Sequence, residues 1–503
     1  MNLVEESTQT GVLGPTSVLD CARFDDTVGA MIQRAILGSC LILGLVVSGC
    51  GSDSGAAVGG GGSGGSGGSG GAGGSRFEPP ELGTWVKYEP EGATCSDGSQ
   101  YKFWVEFSET SDNVIVFFEG GGACWDYESC SGNGGIRGAA NPNGLPDTHA
   151  DAQREIAGIE VGASEIYPLL NQDPAVSPMA DWNKVFVPYC TGDVYSGDRT
   201  VTYEDPDAIE EDLVFIHAGH PNILAMTEML NEMFDNVPKL FVSGCSAGGA
   251  GSITNYYFLR TGIEGVQKGY LLDDSGPLYP DQEMTSRSLA LHDRVRSSWD
   301  ADKLIDSAPR ADELRSDFGK INTVLAEQFP DDRLAMTYFR LDYNYSLYSY
   351  ERFWTRDGDS IVPFMGSGLG LDQNVALDRA AIHSLWWDDT ALLRAQYDTK
   401  SNLGYYIPFY RTTNSSHCVT IPGLEEFSLG EALNLFQNDF GTLAWAGSEI
   451  GDMNLRDYVE HMLNDEEPLE SHFEEDGEGP FVPCTPADFD ADACEAAVNP
   501  PEM

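Results

Sequence analysis

Cations are scarce in this chain: 28 Lys plus Arg stand against 80 Asp plus Glu in 503 residues, a formal net charge of −52. Phosphate backbones are held by cationic surfaces, so nucleic acid is excluded as a partner, and polyanionic substrates meet a repelling field. No Cys-x-x-Cys pair occurs, which leaves a zinc centre without support. The acidic stretch DFDAD at 488–492 lacks the glycine and closing glutamate of an EF-hand loop and reads as solvated tail. Neither a metal nor a cofactor is therefore expected. After Phe77 there is no second linker and no internal repeat, so one domain with a tail is the simplest organisation, and a monomer is expected.

What is there begins with an address. From Met31 the chain reads MIQRAILGSCLILGLVVSGC: one arginine, an apolar run at 35–47, then Val47-Ser48-Gly49-Cys50. The run is too short for a membrane span but has the flanks of a secretory signal. Its end resembles the bacterial lipobox, which marks Cys50 for lipidation and implies a membrane anchor on the cell envelope or, if cut as a plain signal, secretion. Residues 1–50 are thus expected to be upstream segment and signal. The Gly/Ser-rich stretch 51–76 reads as a flexible tether, 77–463 as the folded domain, and 464–503 as an acidic tail. Removing residues 1–49 leaves 75 acidic against 26 basic residues, a net charge of −49.

Export agrees with the cysteines. Eight lie beyond Cys50, an even number that favours disulfides in an oxidising compartment. Local spacing pairs Cys124 with Cys130 and Cys484 with Cys494. Short apolar runs recur at 113–118, 184–188, 239–243, 269–273 and 334–339, several followed by helix-like stretches such as 223–234, 253–259 and 375–397. Unbroken apolar strands alternating with helices predict an α/β fold, a mostly parallel sheet with helices on both faces.

Residues 241–252, FVSGCSAGGAGS, carry the chemistry. Gly244-Cys245-Ser246-Ala247-Gly248 fits G-x-S-x-G between a strand and a helix, the setting of a nucleophile elbow. Small neighbours there avoid collision with adjoining backbone and admit a carbonyl to the helix N-terminus. A serine needs a base oriented by an acid, and α/β-hydrolases place acid and then histidine after it. His292 and His383 fall in helical segments that suggest structural roles, and His461 and His472 border the acidic tail. His417, in the polar loop TTNSSHCVTIPG, is the expected base. Asp342 follows the strand LAMTYFRL, with Asp273 and Asp274 in LLDDSGP as rivals for the acid. A second glycine-rich turn, Glu119-Gly120-Gly121-Gly122-Ala123, follows the strand NVIVFF. With Ala247 it makes the N–H groups of Gly121, Gly122 and Ala247 the expected oxyanion donors.

In this order FFEGGGACWDYESC, KVFVPYCTGDVYSGD, VSGCSAGGAGS, DDSGP and SSHC, preceded by ATCSDGSQYKFWV, resemble the pectin acetylesterase family, which includes the Notum carboxylesterases. The resemblance covers roughly residues 84–423. It implies an α/β-hydrolase-like fold and metal-independent hydrolysis of acyl esters, acetyl on a glycan or a longer chain as for Notum. It puts Ser246 at the nucleophile, His417 at the base and Asp342 at the acid, and suggests a Cys95–Cys190 disulfide. Tyr189, Asp193, Tyr195 and Ser196 fall in the family's pocket-side loop, and Asp274 at a recurrent acid near the site. Cys245 before the serine departs from the small or hydroxyl residue usual there. With Cys418 it forms either a bridge beside the site or two buried thiols.

Overall fold

The computed structural model describes residues 77–475 except 133–137, 157–158, 207, 282–284, 359, 365–376, 412–415, 423–440 and 442–443. The expected signal, lipidation site Cys50, tether and Cys484–Cys494 pair lie outside these residues. The described residues contain a nine-stranded sheet whose strands are β1 (Trp85–Tyr88), β2 (Phe103–Glu106), β3 (Val114–Phe118), β4 (Asn183–Val187), β5 (Val237–Cys245), β6 (Val266–Asp274), β7 (Arg333–Thr337), β8 (Leu403–Ile407) and β9 (His472–Phe473). Their spatial order is β1-β2-β4-β3-β5-β6-β7-β8-β9. From β4 to β9 every pairing is parallel, and β1 and β2 add an antiparallel edge. This is the expected α/β-hydrolase-like sheet.

Burial on both faces explains why the strands read as unbroken apolar runs. Successive side chains of β3 alternate between two cores: Val114, Val116 and Phe118 pack into one, Ile115 and Phe117 into the other. One core holds helices α1 (Gly219–Met233) and α2 (Ala247–Gly262), with Ile223, Met226, Ile253 and Leu259 facing inward. At the β2–β4 pairing Glu106 lies opposite Lys184, and their side chains form a buried ion pair at 2.6 Å. Lys184 Nζ also donates to the Ala180 carbonyl at 3.0 Å, so the cation is not left to one partner.

The predicted boundary at 463/464 is corrected. Residues beyond 463 add β9 to the sheet, and Asp465 accepts hydrogen bonds from Tyr270 at 2.8 Å and pairs with Lys239 at 3.3 Å and with Lys268. The tail's acids conceal this attachment, because the cations that hold them come from β5 and β6, about two hundred positions earlier in the chain. No helix among the described residues is long and apolar enough to cross a membrane.

Candidate active site

The serine sits where the sequence puts it. β5 ends at Cys245, α2 starts at Ala247, and Ser246 between them is held at φ 59°, ψ −118°. A non-glycine residue there stores on the order of 1–3 kcal/mol of strain, which the flanking packing must offset. The surrounding glycines explain how. A Cβ on Gly248 would run into the Phe118 and Glu119 carbonyls, one on Gly249 into that of Asp274, and one on Gly244 into Gly248 and Phe118. The ends of β3 and β6 therefore close against the elbow, and only residues without a side chain let them.

His417, the expected base, lies in a loop after β8. His417 is 6% exposed, and its Nδ1–H donates to Asp342 Oδ2 at 2.8 Å. Asp342 is wholly buried and caps helix α4 (Tyr343–Tyr350), its Oδ1 accepting the Tyr345 N–H at 2.9 Å. One carboxylate thus fixes both a helix N-terminus and an imidazole orientation. The rivals have other partners. Asp274 accepts from the N–H groups of Val419 and Thr420 at 3.0 and 2.8 Å, from the Thr420 hydroxyl at 2.6 Å and from the Ser275 hydroxyl at 2.9 Å. It clamps the base loop onto the end of β6 rather than touching the base. Asp273 accepts from the Gly276 N–H at 3.1 Å, and burial, helped by the neighbouring Asp274, pushes it up to about 8.

Cys245 and Cys418 are bridged, Cα to Cα 5.6 Å apart. The residue before the serine is thereby joined to the residue after the histidine, and a His417 ring nitrogen lies within 4.8 Å of both sulphurs. Sulphurs already bonded to each other are not thiolate ligands, so this grouping is a staple and not a metal centre. Ser416 and Cys418, at φ 53° and 58°, flank the histidine in the left-handed region. The buried Arg411 holds that turn from behind, donating through Nη2 to the Cys418 carbonyl at 2.8 Å. The Cys95–Cys190 and Cys124–Cys130 disulfides are also present, as expected.

The glycine-rich turn stands opposite. Gly122 and Ala247 line one cavity together with Ser246, while a Cβ on Gly121 would run into Tyr189 and Ala140. Ala247 opens α2, and the first-turn N–H groups of a helix have no intrahelical partner. Glu119 braces the turn: its carboxylate accepts from the Tyr189 N–H at 2.9 Å and meets His149 Nε2 at 3.0 Å. The Tyr195 hydroxyl donates to the Glu119 carbonyl at 2.8 Å, and Asp193 receives the Thr191 hydroxyl at 2.6 Å and the Gly219 N–H at 2.8 Å. Of the pocket-side loop, Tyr189, Asp193 and Tyr195 are buried braces, and Ser196 reaches the cavity wall. The cavity has room for about 50 Å³ and its wall is mainly apolar, including Trp125, Leu278, Leu291, Val295 and Trp299. The sequence reading missed this wall. His292, assigned to structure on the strength of its helix, also belongs to it.

A serine at a strained strand–helix turn of a mostly parallel sheet, with a carboxylate–imidazole pair stapled beside it, defines a hydrolase-type site. The pectinacetylesterase family profile matches residues 83–310. It is 28% identical over 220 residues to the palmitoleoyl-protein carboxylesterase NOTUM of Drosophila melanogaster, covering 41% of this chain and 29% of that protein. It is 26% identical over 179 residues to pectin acetylesterase 4 of Arabidopsis thaliana, covering 35% and 38% respectively. The chain thus spans about a third of the length of the curated relatives it matches. A solved structure of the Wnt deacylase Notum from Drosophila superposes with a TM-score of 0.44 at 16% identity, covering 75% of this chain and 92% of that one. The family match includes Ser246 and both glycine-rich turns but ends before Asp342 and His417, whose pairing is known from the geometry alone.

Proposed function

We propose that the protein is a serine carboxylesterase acting on short acyl esters, with Ser246 as nucleophile, His417 as base and Asp342 as the acid that orients it. The Asp342–His417 hydrogen bond, stapled to the elbow by Cys245–Cys418, carries this reading. Ser246 Oγ attacks the ester carbonyl while His417 takes its proton. The carbonyl oxygen becomes an anion received by the N–H groups of Gly121, Gly122 and Ala247, each worth about 2.7–4 kcal/mol in the transition state. His417 then protonates the departing alcohol, and water, deprotonated by the same imidazole, releases the acid from Ser246. An adjacent carboxylate keeps the proton on Nδ1, which makes Nε2 the nitrogen that takes the serine proton.

Cavity size favours a short acyl group. About 50 Å³ is well below the roughly 300–1,000 Å³ of sites that engulf drug-sized ligands, which argues against a palmitoleoyl chain bound as the pocket stands. The net charge favours a neutral acylated glycan over polygalacturonate, and the lipobox-like Cys50 favours display on a bacterial surface. Hydrolysis of 4-nitrophenyl acetate and labelling by a fluorophosphonate test the mechanism. Both are expected to disappear in Ser246→Ala, with at least a 10⁴-fold loss of kcat. Undiminished turnover in that variant would end the reading. An unlabelled but folded wild type would favour a binding module instead.

A further inference from the structure

The wall of the site cavity is apolar except for a few side chains, and most of those are already engaged. Ser196 Oγ and Thr254 Oγ1 are 3.0 Å apart and bonded to each other, and Thr254 Oγ1 also donates to the Ala250 carbonyl at 2.9 Å. The Tyr348 hydroxyl donates to the Gly138 carbonyl at 2.6 Å. His292 differs. It projects from helix α3 (Leu289–Trp299), is 5% exposed, and packs edge-on against Phe318 at 6.1 Å between ring centroids. Its ring makes no hydrogen bond with any described residue. Burial, reinforced by Arg296, lowers its pKa to about 4, so the ring is neutral at physiological pH. The Tyr345 hydroxyl, on the same wall, is likewise without a described partner.

Neither the ring nitrogens of His292 nor the Tyr345 hydroxyl is among the fully buried unpartnered atoms, so these groups keep access to the space beside them, and both residues line the cavity. The place of His292 is informative. The same cavity is lined by Ser246, so one half of a bound ester faces it, and its small volume suits a short acyl half better than a sugar. An imidazole with one donor and one acceptor matches a hydroxyl, which is neutral and can do both. A carboxylate or ammonium on the acyl chain would have to be desolvated without an opposite charge in the wall. The volume, enough for about three to five water molecules, limits the chain to a few carbons.

We propose that the ester's acyl group is a short chain bearing a hydroxyl, and that His292 is the specificity residue that binds this hydroxyl inside the cavity. The inference rests on the serine-esterase reading and sharpens its substrate class. A site built around a hydrogen bond discriminates strongly against the analogue that lacks the partner, because its own polar group is then stranded.

The test compares 4-nitrophenyl 3-hydroxybutyrate with 4-nitrophenyl butyrate on the full chain. Wild type is expected to favour the hydroxylated ester at least tenfold in kcat/KM, and His292→Leu to bring the ratio near one. His292→Gln, which keeps a donor and an acceptor, should restore part of the preference. A ratio near one in wild type, with acetate turnover present and lost in Ser246→Ala, would overturn this inference and leave the esterase reading standing. A wild-type preference that survives His292→Leu would overturn it too. Should His292→Leu not fold, the wild-type ratio and the His292→Gln ratio still decide. Absence of turnover on every ester would instead count against the esterase reading.

Discussion

Asp273, Asp274 and Asp342 are all buried carboxylates at one end of the sheet, and their partners separate them. Asp342 alone meets the imidazole. Asp342→Asn keeps the size of the side chain but favours the wrong tautomer of His417, so kcat is expected to fall about 10³–10⁴-fold with KM little changed. Steady-state kinetics on 4-nitrophenyl acetate measures this. Asp273 makes a different prediction. Its folded pKa of about 8 lies well above the ordinary carboxylate value, so between those two pH values the folded chain binds a proton that the unfolded chain has lost. Its contribution to stability is fully present in acid and is lost as pH rises toward 8. Asp273→Asn should therefore raise the melting temperature at pH 7 and flatten the fall in stability between pH 4 and 8, as followed by thermal melts. A steeper fall in the variant would refute the assignment.

Three elements build the site, and they were not equally legible. The elbow was visible because strand, G-x-S-x-G and helix are contiguous, and strands such as Val114–Phe118 stood out because burial on both faces makes them wholly apolar. β8 did not stand out. Gly404 within it is demanded by Leu469 and Tyr458, and Tyr406 is polar at its tip because its hydroxyl reaches the Ser448 carbonyl at 2.7 Å. Loop context set His417 apart from four other histidines as the expected base, and the structure pairs it with Asp342, which needed the family pattern to be preferred over Asp273 and Asp274. The role of Asp274 was hidden because its partners, Val419 and Thr420, lie far along the chain. Two of the three disulfides link such distant elements, and loop length ranks all three. Closing 173 residues between Cys245 and Cys418 restricts the unfolded chain by about 5 kcal/mol, against about 2 for the six of Cys124–Cys130. A Cys245→Ala/Cys418→Ala chain should melt well below one lacking Cys124–Cys130. It should also lose at least tenfold in kcat at temperatures where it remains folded, because the left-handed turn around His417 is no longer tied to the elbow. Full activity in the folded double variant would show that Arg411 and Asp274 hold the base loop without the bridge.

At the scale of the molecule the dominant property is charge. The three disulfides belong to a chain that folds in an oxidising, extracytoplasmic compartment. There the net charge of −52 acts on whatever approaches the cavity. A field of that size accelerates or retards only charged partners, and it decays over a Debye length of about 30 Å at 0.01 M salt and about 8 Å at 0.15 M. The substrate's own charge therefore decides the salt response. A neutral ester such as 4-nitrophenyl acetate should be hydrolysed at nearly the same kcat/KM across that range. An acetylated polygalacturonate should be a poor substrate at 0.01 M and improve several-fold by 0.15 M, and the gain should appear in kcat/KM and not in kcat, because repulsion slows encounter and leaves the bound chemistry alone. Acetate release measured at both salt concentrations separates the cases. Equal rates on the polyanion at low and high salt would mean that a cationic path leads to the cavity despite the overall charge, and pectin would then return as a natural substrate.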